Sequence, residues 1–181
     1  MRKLLYLSIA ICISFSACSD SSTETEPILC NNGYSQDGEC ICDEGYTGTT
    51  CGEQETPDVI NISEVTVTRL PDTTDDGGSW DFSSGPDIYV EILKGDEIIW
   101  ESDTYYENAS DASDYDFDLD IQLTEPNEEY TINLYDYDES GSDFMGGVVR
   151  TPYNSDNEFP DNITFDADGS VAFEISASYA W

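Results

Sequence analysis

From residue 59 onward, the chain alternates hydrophobic and polar positions in short runs, separated by stretches rich in Gly, Pro, Asp and Asn. Alternation puts successive side chains on opposite faces of an extended chain, which is the pattern of a half-buried β-strand. In residues 129–137, for example, Tyr130, Ile132 and Leu134 share one face. The runs that this pattern predicts as strands are 60–70, 87–102 (a hairpin that turns at Gly95 and Asp96), 115–123, 129–137, 144–150, 162–165 and 171–181.

The number and spacing of these runs predict the fold class. About eight short strands, bounded by turn residues and without a convincing helix, are typical of an antiparallel β-sandwich. We therefore expect an all-β domain over residues 59–181, preceded by a polar linker over residues 53–58. The stretch 166–170, Asp-Ala-Asp-Gly-Ser, is expected to form the turn between the last two strands.

The N-terminal segment has the organisation of an export signal. Two basic residues precede an apolar run over residues 4–15, which is too short for a membrane-spanning helix. The following Phe-Ser-Ala-Cys resembles the lipobox of bacterial lipoproteins, although Phe stands where an aliphatic residue is usual. The resemblance implies that residues 1–17 are removed and that the thiol of Cys18 is lipidated. The chain would then be anchored in a bacterial outer membrane. The acidic segment after Cys18 resembles the surface-export signals of Bacteroidetes lipoproteins, which implies exposure at the cell surface. The alternative is an ordinary cleaved signal with an unmodified cysteine.

The next two segments differ from the sandwich in composition. Residues 18–29 are polar and acidic without apolar periodicity, which predicts a disordered tether. Residues 30–52 contain four cysteines and five glycines. A piece of this size cannot bury a sufficient core and needs covalent crosslinks. Because an even number of cysteines in an exported chain is typical of a disulfide framework, we expect two disulfides here.

The arrangement of these cysteines resembles a known small module. The run Cys-Ile-Cys-Asp-Glu-Gly-Tyr-Thr-Gly-Thr-Thr-Cys over residues 40–51 is similar to the end of an epidermal-growth-factor-like module. Two cysteines of that family are missing, so the resemblance is to a reduced module, a spacer or contact element. The family's pairing, carried over to this chain, implies the disulfides Cys30–Cys40 and Cys42–Cys51.

The charge of the chain excludes several classes of function. There are 40 Asp and Glu residues against 5 Lys and Arg residues, with a formal net charge of −35. Nucleic-acid binding is excluded because phosphate recognition needs a basic surface. Docking to an anionic membrane by electrostatic attraction is disfavoured for the same reason. The chain has no His and no G-x-S-x-G motif, and we expect no enzymatic activity.

Two clusters of aspartates adjoin predicted strands. Asp81 and Asp87 lie in one long loop. Asp136 lies near the end of another predicted strand, and Asp138 and Asp143 follow that strand. Carboxylates this close repel one another and resist ionisation. A bound cation would neutralise them more completely than solvent does. Calcium takes six to eight hard oxygen ligands at about 2.3–2.6 Å, and aspartate supplies such oxygens on a short side chain.

The two clusters resemble the loops of the C-two domain, the calcium- and lipid-binding module of protein kinase C and synaptotagmin. The family's first loop has Asp, five residues and Asp-Pro-Tyr-Val, where this chain has Asp81, five residues and Asp-Ile-Tyr-Val. Its third loop has Asp-aromatic-Asp and then Asp-Phe-Met-Gly. These match residues 136–138 and 143–146, with a spacing one residue shorter. The resemblance implies a C-two-like sandwich of permuted strand order that binds calcium through the five aspartates.

Two other interpretations of the acidic residues are open. Residues 136–147 also match the start of an EF-hand calcium loop, but Gly147 stands where a bidentate Glu is needed and the flanks are not helical. This template predicts calcium at the same residues. The second interpretation is purely structural, because Asp is common in turns and on solvated strand faces such as 111–120.

Aromatic residues beside the first cluster are candidates for a contact surface. Trp80 and Phe82 flank Asp81 and would point the same way if the segment were extended. Phe144 and Met145 are explained as well by the start of a buried strand. The leading prediction is a non-catalytic, calcium-dependent module that contacts a lipid, a glycan or a surface protein. The alternatives are a carbohydrate-binding or adhesion accessory with structural calcium, and an inert spacer of the cell envelope.

Overall fold

A computed structural model describes residues 28–139, 141–167 and 169–181. The predicted signal over 1–17, the lipidation site Cys18 and the tether up to residue 27 lie outside the described residues, so these three features remain predictions. In the described part of the chain, no helix has the length and hydrophobicity needed to cross a membrane.

The described residues form strands and turns without a helix. The strands are β1 (Gly33–Gln36), β2 (Glu39–Cys42), β3 (Tyr46–Thr47), β4 (Glu53–Gln54), β5 (Val59–Arg69), β6 (Ile88–Lys94), β7 (Glu97–Glu101), β8 (Tyr115–Leu123), β9 (Tyr130–Asp138), β10 (Gly141–Arg150), β11 (Asn162–Asp166) and β12 (Ala172–Ala180).

Strands β5 to β12 form two four-stranded antiparallel sheets. One sheet has the order β10-β9-β6-β7 and the other has the order β11-β12-β5-β8. These are the eight predicted strands, and β8 has the predicted bounds. The hairpin β6–β7 turns at Gly95 and Asp96, where Gly95 has a φ of 60° that favours glycine. The prediction of an all-β, eight-stranded antiparallel sandwich is confirmed.

The inner faces of the two sheets form one hydrophobic core. On β9, the alternation places Tyr130, Ile132 and Leu134 in the interior, each no more than 2% exposed. Val65 on β5 and Phe173 on β12 are fully buried in the same cluster. Apolar burial of this kind is the main stabilising contribution to a sandwich of this size.

Disulfides stabilise the small N-terminal module. The pairs are Cys30–Cys40 and Cys42–Cys51, which confirms the pairing implied by the cysteine pattern. Strands β1 and β2 form a hairpin whose turn residues Asp37 and Gly38 both have positive φ. This backbone conformation is typical of two-residue Asp-Gly hairpin turns.

The module packs against one end of the sandwich. A Cβ at Gly45 would lie 2.4 Å from the ring of Trp181 and 2.6 Å from that of Phe159, so only glycine fits this contact. The carbonyl of Glu55 accepts hydrogen bonds from Tyr153 Oη (3.3 Å) and Trp181 Nε1 (3.4 Å). The residues between module and sandwich are therefore held by contacts at the end where β5 begins and β12 ends.

Candidate metal site

The central residue of the candidate site is a buried aspartate. On β9 the inward positions Tyr130, Ile132 and Leu134 are followed by Asp136, which is only 1% exposed. A side chain at this position has to point toward the core because the alternation of the strand continues. The sequence thus places a carboxylate in line with core side chains, at the end of the sandwich opposite the N-terminal module.

Only one of the two oxygens of Asp136 has a hydrogen-bond partner. Oδ1 accepts a hydrogen bond of 2.7 Å from the backbone N–H of Asp87. Oδ2 is buried and has no partner within the described residues. Buried polar atoms are rarely left unpaired, because the lost hydration costs about 1–3 kcal/mol. A cation bound to Oδ2 would explain why this oxygen is buried without a hydrogen-bond partner.

Asp87 is fixed at the entry to β6. Its carbonyl accepts a hydrogen bond of 2.7 Å from the N–H of Tyr137. Its Oδ1 accepts one of 2.9 Å from the N–H of Asn108, a residue with a φ of 57°. The next residue, Ile88, pairs in register with Asp136. The two predicted loops are therefore joined through the backbone at this point.

A close backbone approach holds the first loop in place. A Cβ at Gly85 would lie 2.3 Å from the carbonyl oxygen of Ala109, which no real contact allows. The N–H of Ala109 donates a hydrogen bond of 2.7 Å to the carbonyl of Pro86. The glycine between Asp81 and Asp87 is thus required by packing of segment 105–110 across the loop.

The charges of three other carboxylates act on Asp136. The pKa of Asp136 is raised from 3.8 to about 6. Burial is the largest cause, the hydrogen bond from the Asp87 N–H opposes it, and the negative charges of Asp81, Asp138 and Asp87 add to the rise. Asp81 is half-buried, and its Oδ2 accepts a hydrogen bond of 3.0 Å from Ser84 Oγ. The structure therefore brings four of the five predicted aspartates into one electrostatic cluster.

Asp143 occupies a different environment. It lies inside β10, opposite Asp136 in register, and its side chain is exposed. Strand β10 begins at Gly141, three residues earlier than predicted, and its residues 141–143 pair antiparallel with residues 136–138 of β9. The EF-hand interpretation is wrong, because such a site needs a 12-residue loop between helices.

The donor set suits a hard cation, although the described residues do not form a completed metal site. In residues 28–139, 141–167 and 169–181, no group of three or more Asp, Glu, Cys or His side chains is arranged so that it could hold a metal ion. The clustered ligands are carboxylate oxygens, which calcium prefers. The buried, unpaired Oδ2 of Asp136 and the mutual repulsion of the cluster fit such an ion.

The two aromatic residues beside Asp81 differ in exposure. Trp80 packs partly buried against the core, and its Nε1 donates a hydrogen bond of 2.8 Å to the carbonyl of Pro71. Phe82 is fully exposed. Residues 80–84 form bends, so the condition of an extended segment is not met and the two rings do not share a surface. Met145 is buried in the core, as its alternative interpretation predicted.

Sequence reasoning missed two polar contacts at this site. The sequence pattern does not point to Ser84 as a partner of Asp81, although its hydroxyl donates to Oδ2 of that residue. Asn108 contributes through its backbone N–H, and no pattern in the sequence reveals such a contact.

No protein-family model matches the chain. No curated protein matches its sequence either. Solved structures with a similar course of the chain are C-two domains. A structure described as a C-two domain aligns with a TM-score of 0.47 and 14% identity, over 68% of this chain and 98% of its own.

Two structures of extended synaptotagmin 2 also align. One contains two C-two domains and the other contains the SMP domain as well. Their TM-scores are 0.42 and 0.43, with 18% and 20% identity. They cover 77% and 67% of this chain, which spans 48% and 27% of their length. These likenesses concern the course of the chain and carry no information about a ligand.

Proposed function

We propose that the sandwich is a non-catalytic binding module that takes up calcium at its aspartate end. Asp81, Asp87, Asp136 and Asp138 would supply the carboxylate ligands. Asp143, exposed on the neighbouring strand, would be a peripheral ligand. The ion would neutralise the cluster and order the loops around it. A lipid, glycan or protein would then be contacted through the exposed ring of Phe82, while Trp80 holds the loop.

One observation carries the proposal. The carboxylate of Asp136 is buried at a position of β9 where the alternation of the strand predicts a core side chain. Its Oδ2 has no hydrogen-bond partner within the described residues. Burial raises the pKa of Asp136, and the charges of three further carboxylates also raise it. A residue that only stabilised the fold would be apolar here, because a buried charge is tolerated only when it is paired. The arrangement therefore favours a bound cation over a structural role.

The cellular setting is part of the same proposal. The predicted lipidation of Cys18 would attach the chain to a bacterial outer membrane through its N-terminal side. The disulfide-linked module over residues 30–52 would then stand between the membrane and the sandwich. Calcium modules at extracellular positions bind with dissociation constants of about 0.1–1 mM, and we expect a site of that affinity here.

The test is thermal unfolding of the full chain with calcium, with magnesium and with a chelator. At a calcium concentration a hundred times the dissociation constant, we expect stabilisation of about 2.7 kcal/mol. Magnesium should give less, because it demands octahedral geometry at shorter distances. Asp138→Asn should remove most of the calcium effect. The matched control is Asp120→Asn on β8, an exposed residue with the same charge change.

Three outcomes would contradict the proposal. One is the absence of any calcium-specific rise up to about 10 mM, well above the range of extracellular sites. Another is an equal loss of the rise in Asp120→Asn, which would indicate general charge screening. The third is an equal effect of magnesium and calcium. In the first two cases the aspartate end would be a solvated structural end, and Phe82 would be tested for a calcium-independent partner. Equal effects of the two ions would indicate a divalent-cation site without preference for calcium.

A further inference from the structure

The outer face of the sheet β10-β9-β6-β7 carries a group of aromatic side chains outside the aspartate site. Register places Tyr89 of β6 opposite Tyr135 of β9, and Phe144 of β10 on the other side of Tyr135. Tyr137 lies further along β9, opposite Ser142. Directly opposed residues of antiparallel strands point to the same face. These rings therefore form a single surface on the side of the sheet that faces away from the core.

The rings are arranged in parallel pairs. Tyr105, from the segment after β7, stacks on Tyr137 with centroids 4.8 Å apart and an interplanar angle of 17°. Tyr89 stacks on Tyr135 at 5.2 Å and 16°. Tyr105 and Tyr137 are each 43% exposed. A contiguous patch of aromatic side chains on a solvent-exposed face is typical of a binding surface.

A cavity of about 350 Å³ opens between these rings. Tyr89, Tyr105 and Tyr137 line it together with Ser142 and the carboxylates of Glu101 and Asp103. Its size is at the lower end of the range for small-ligand sites, which combine aromatic walls with a few polar groups. No lysine or arginine lines the cavity. Its electrostatic character is therefore entirely acidic.

A pair of opposed glutamates adds to this character. Glu91 of β6 lies directly opposite Glu101 of β7. Glu91 is 8% exposed, although it lies on the outer face of the sheet. Burial raises the pKa of Glu91, and the charge of Glu101 raises it further. Like charges directly opposed across two strands are destabilising, so this face lacks a positive partner.

The chain does not supply that partner from its described residues. Arg69 is paired with Asp166, Lys94 with Glu125, and Arg150 donates to the carbonyl of Thr164. A second copy is disfavoured as the occupant because the chain carries a net charge of −35. The complementary group has to come from a different molecule.

We propose that this cavity binds an arginine side chain of a partner protein. The guanidinium would extend a stack of tyrosine rings and form a bidentate hydrogen-bonded pair with Glu101. Guanidinium is planar, stacks on aromatic faces and matches a carboxylate with two parallel donors. An ammonium group is compact and strongly hydrated, and it gains less from parallel rings. The parallel arrangement of the rings therefore favours arginine over lysine. This proposal is independent of the calcium proposal.

The test is a titration of the full chain with a neutral-flanked peptide, acetyl-Gly-Arg-Gly-amide, followed by NMR. It is run with chelator and at about 150 mM salt, where distant charges are screened. We expect saturable shifts confined to the residues around Tyr105, Tyr137 and Glu101. Glu101→Gln should weaken binding about tenfold, as expected for a charge-assisted bidentate pair. Tyr105→Ala should weaken it about threefold.

The controls distinguish a specific binding site from non-specific electrostatic attraction. Glu97→Gln removes the same charge from the other end of β7 and should leave the affinity unchanged. The peptide with Lys in place of Arg should bind at least about threefold more weakly. The proposal would be overturned by the absence of saturable shifts up to about 20 mM peptide, or by equal effects of Glu97→Gln and Glu101→Gln. Equal binding of the Lys peptide, or tighter binding of a neutral disaccharide, would also overturn it.

Discussion

The two ends of the sandwich are built from opposite chemistry. At the end that meets the N-terminal module, Phe159 is surrounded by the rings of Tyr46, Tyr153, Tyr179 and Trp181, with centroids 4.8–6.2 Å apart. At the other end, Asp136 is buried among carboxylates that raise its pKa. We expect the first end to contribute stability and the second to reduce it. Unfavourable local arrangements that persist in a stable fold are typical of functional sites.

The largest expected effect comes from breaking the aromatic end. Phe159→Ala should destabilise the protein by about 3 kcal/mol, since it removes ring contacts and leaves a cavity against the core. Chemical denaturation measures this as a lower midpoint with an unchanged m-value. Phe82→Ala is the matched control, because the ring is fully exposed and its loss should change stability by less than about 0.5 kcal/mol. Equal effects of the two variants would refute the assignment of stability to this end.

The second effect has the opposite sign. Asp136→Asn, measured at pH 7 with chelator, should stabilise the protein by up to about 3 kcal/mol, because it removes a buried charge while keeping the shape. The same variant should lose the calcium response. Thermal unfolding with and without calcium tests both. A variant that is less stable than the original in chelator would indicate that the carboxylate contributes to the fold.

The pH dependence follows from the same residue. The folded pKa of about 6 lies above the ordinary 3.8, so the folded state holds this proton more tightly than the unfolded state. The associated stability is fully present below about pH 4, is lost as the pH rises toward about 6, and is constant above that. In chelator, the advantage of Asp136→Asn should therefore grow between about pH 4 and 6. An advantage that does not depend on pH would contradict the raised pKa.

A smaller effect is expected at the loop that carries Asp81 and Asp87. Gly85→Ala should cost about 1–3 kcal/mol, because a Cβ would overlap the carbonyl of Ala109 and the backbone has to move. It should also weaken calcium binding, since the N–H of Asp87 is displaced from Asp136. Gly77→Ala in the same loop is a control for the loss of a glycine, because a Cβ at Gly77 would meet no neighbouring atom. The φ of Gly77 is 78°, so this control also includes the cost of a positive φ for alanine. Calorimetric titration with calcium separates the binding effect from stability.

The smallest effect is expected at Asp143. Its side chain is exposed, and Asp143→Asn should change stability in chelator by less than about 0.5 kcal/mol. If it is a peripheral ligand, calcium affinity should fall less than in Asp138→Asn. An equal loss of affinity in the two variants would place Asp143 among the central ligands.

The parts of the fold that follow from local alternation were predictable from the sequence. In residues 115–123 the polar and apolar positions alternate strictly, and β8 has those bounds. The start of β10 was missed because Gly141, Ser142 and Asp143 are polar. Pairing with β9, and not their own propensity, holds them in a strand. The four clustered aspartates were predictable from their spacing and from a family resemblance.

Other features depend on contacts between distant segments. The inward position of Trp80 is set by the carbonyl of Pro71 and by the core, and neither is visible in the pattern around residue 80. The stacking of Tyr89 on Tyr135 depends on the register between β6 and β9, which the alternation within one strand does not determine. The burial of Asp136 could have been predicted by continuing the inward positions of β9 by one step.

The docking of the N-terminal module at one end of the sandwich places the aspartate end far from that module. Strands of nine residues span about 30 Å, so the aspartate end lies about that far from the point where the chain enters the sandwich. The contacts of Gly45 and Glu55 with Trp181 limit bending at that entry. A chain held at a surface by its N-terminal side would therefore present its acidic tip outward. Such a geometry suits the capture of something on an opposing surface or in the surrounding medium.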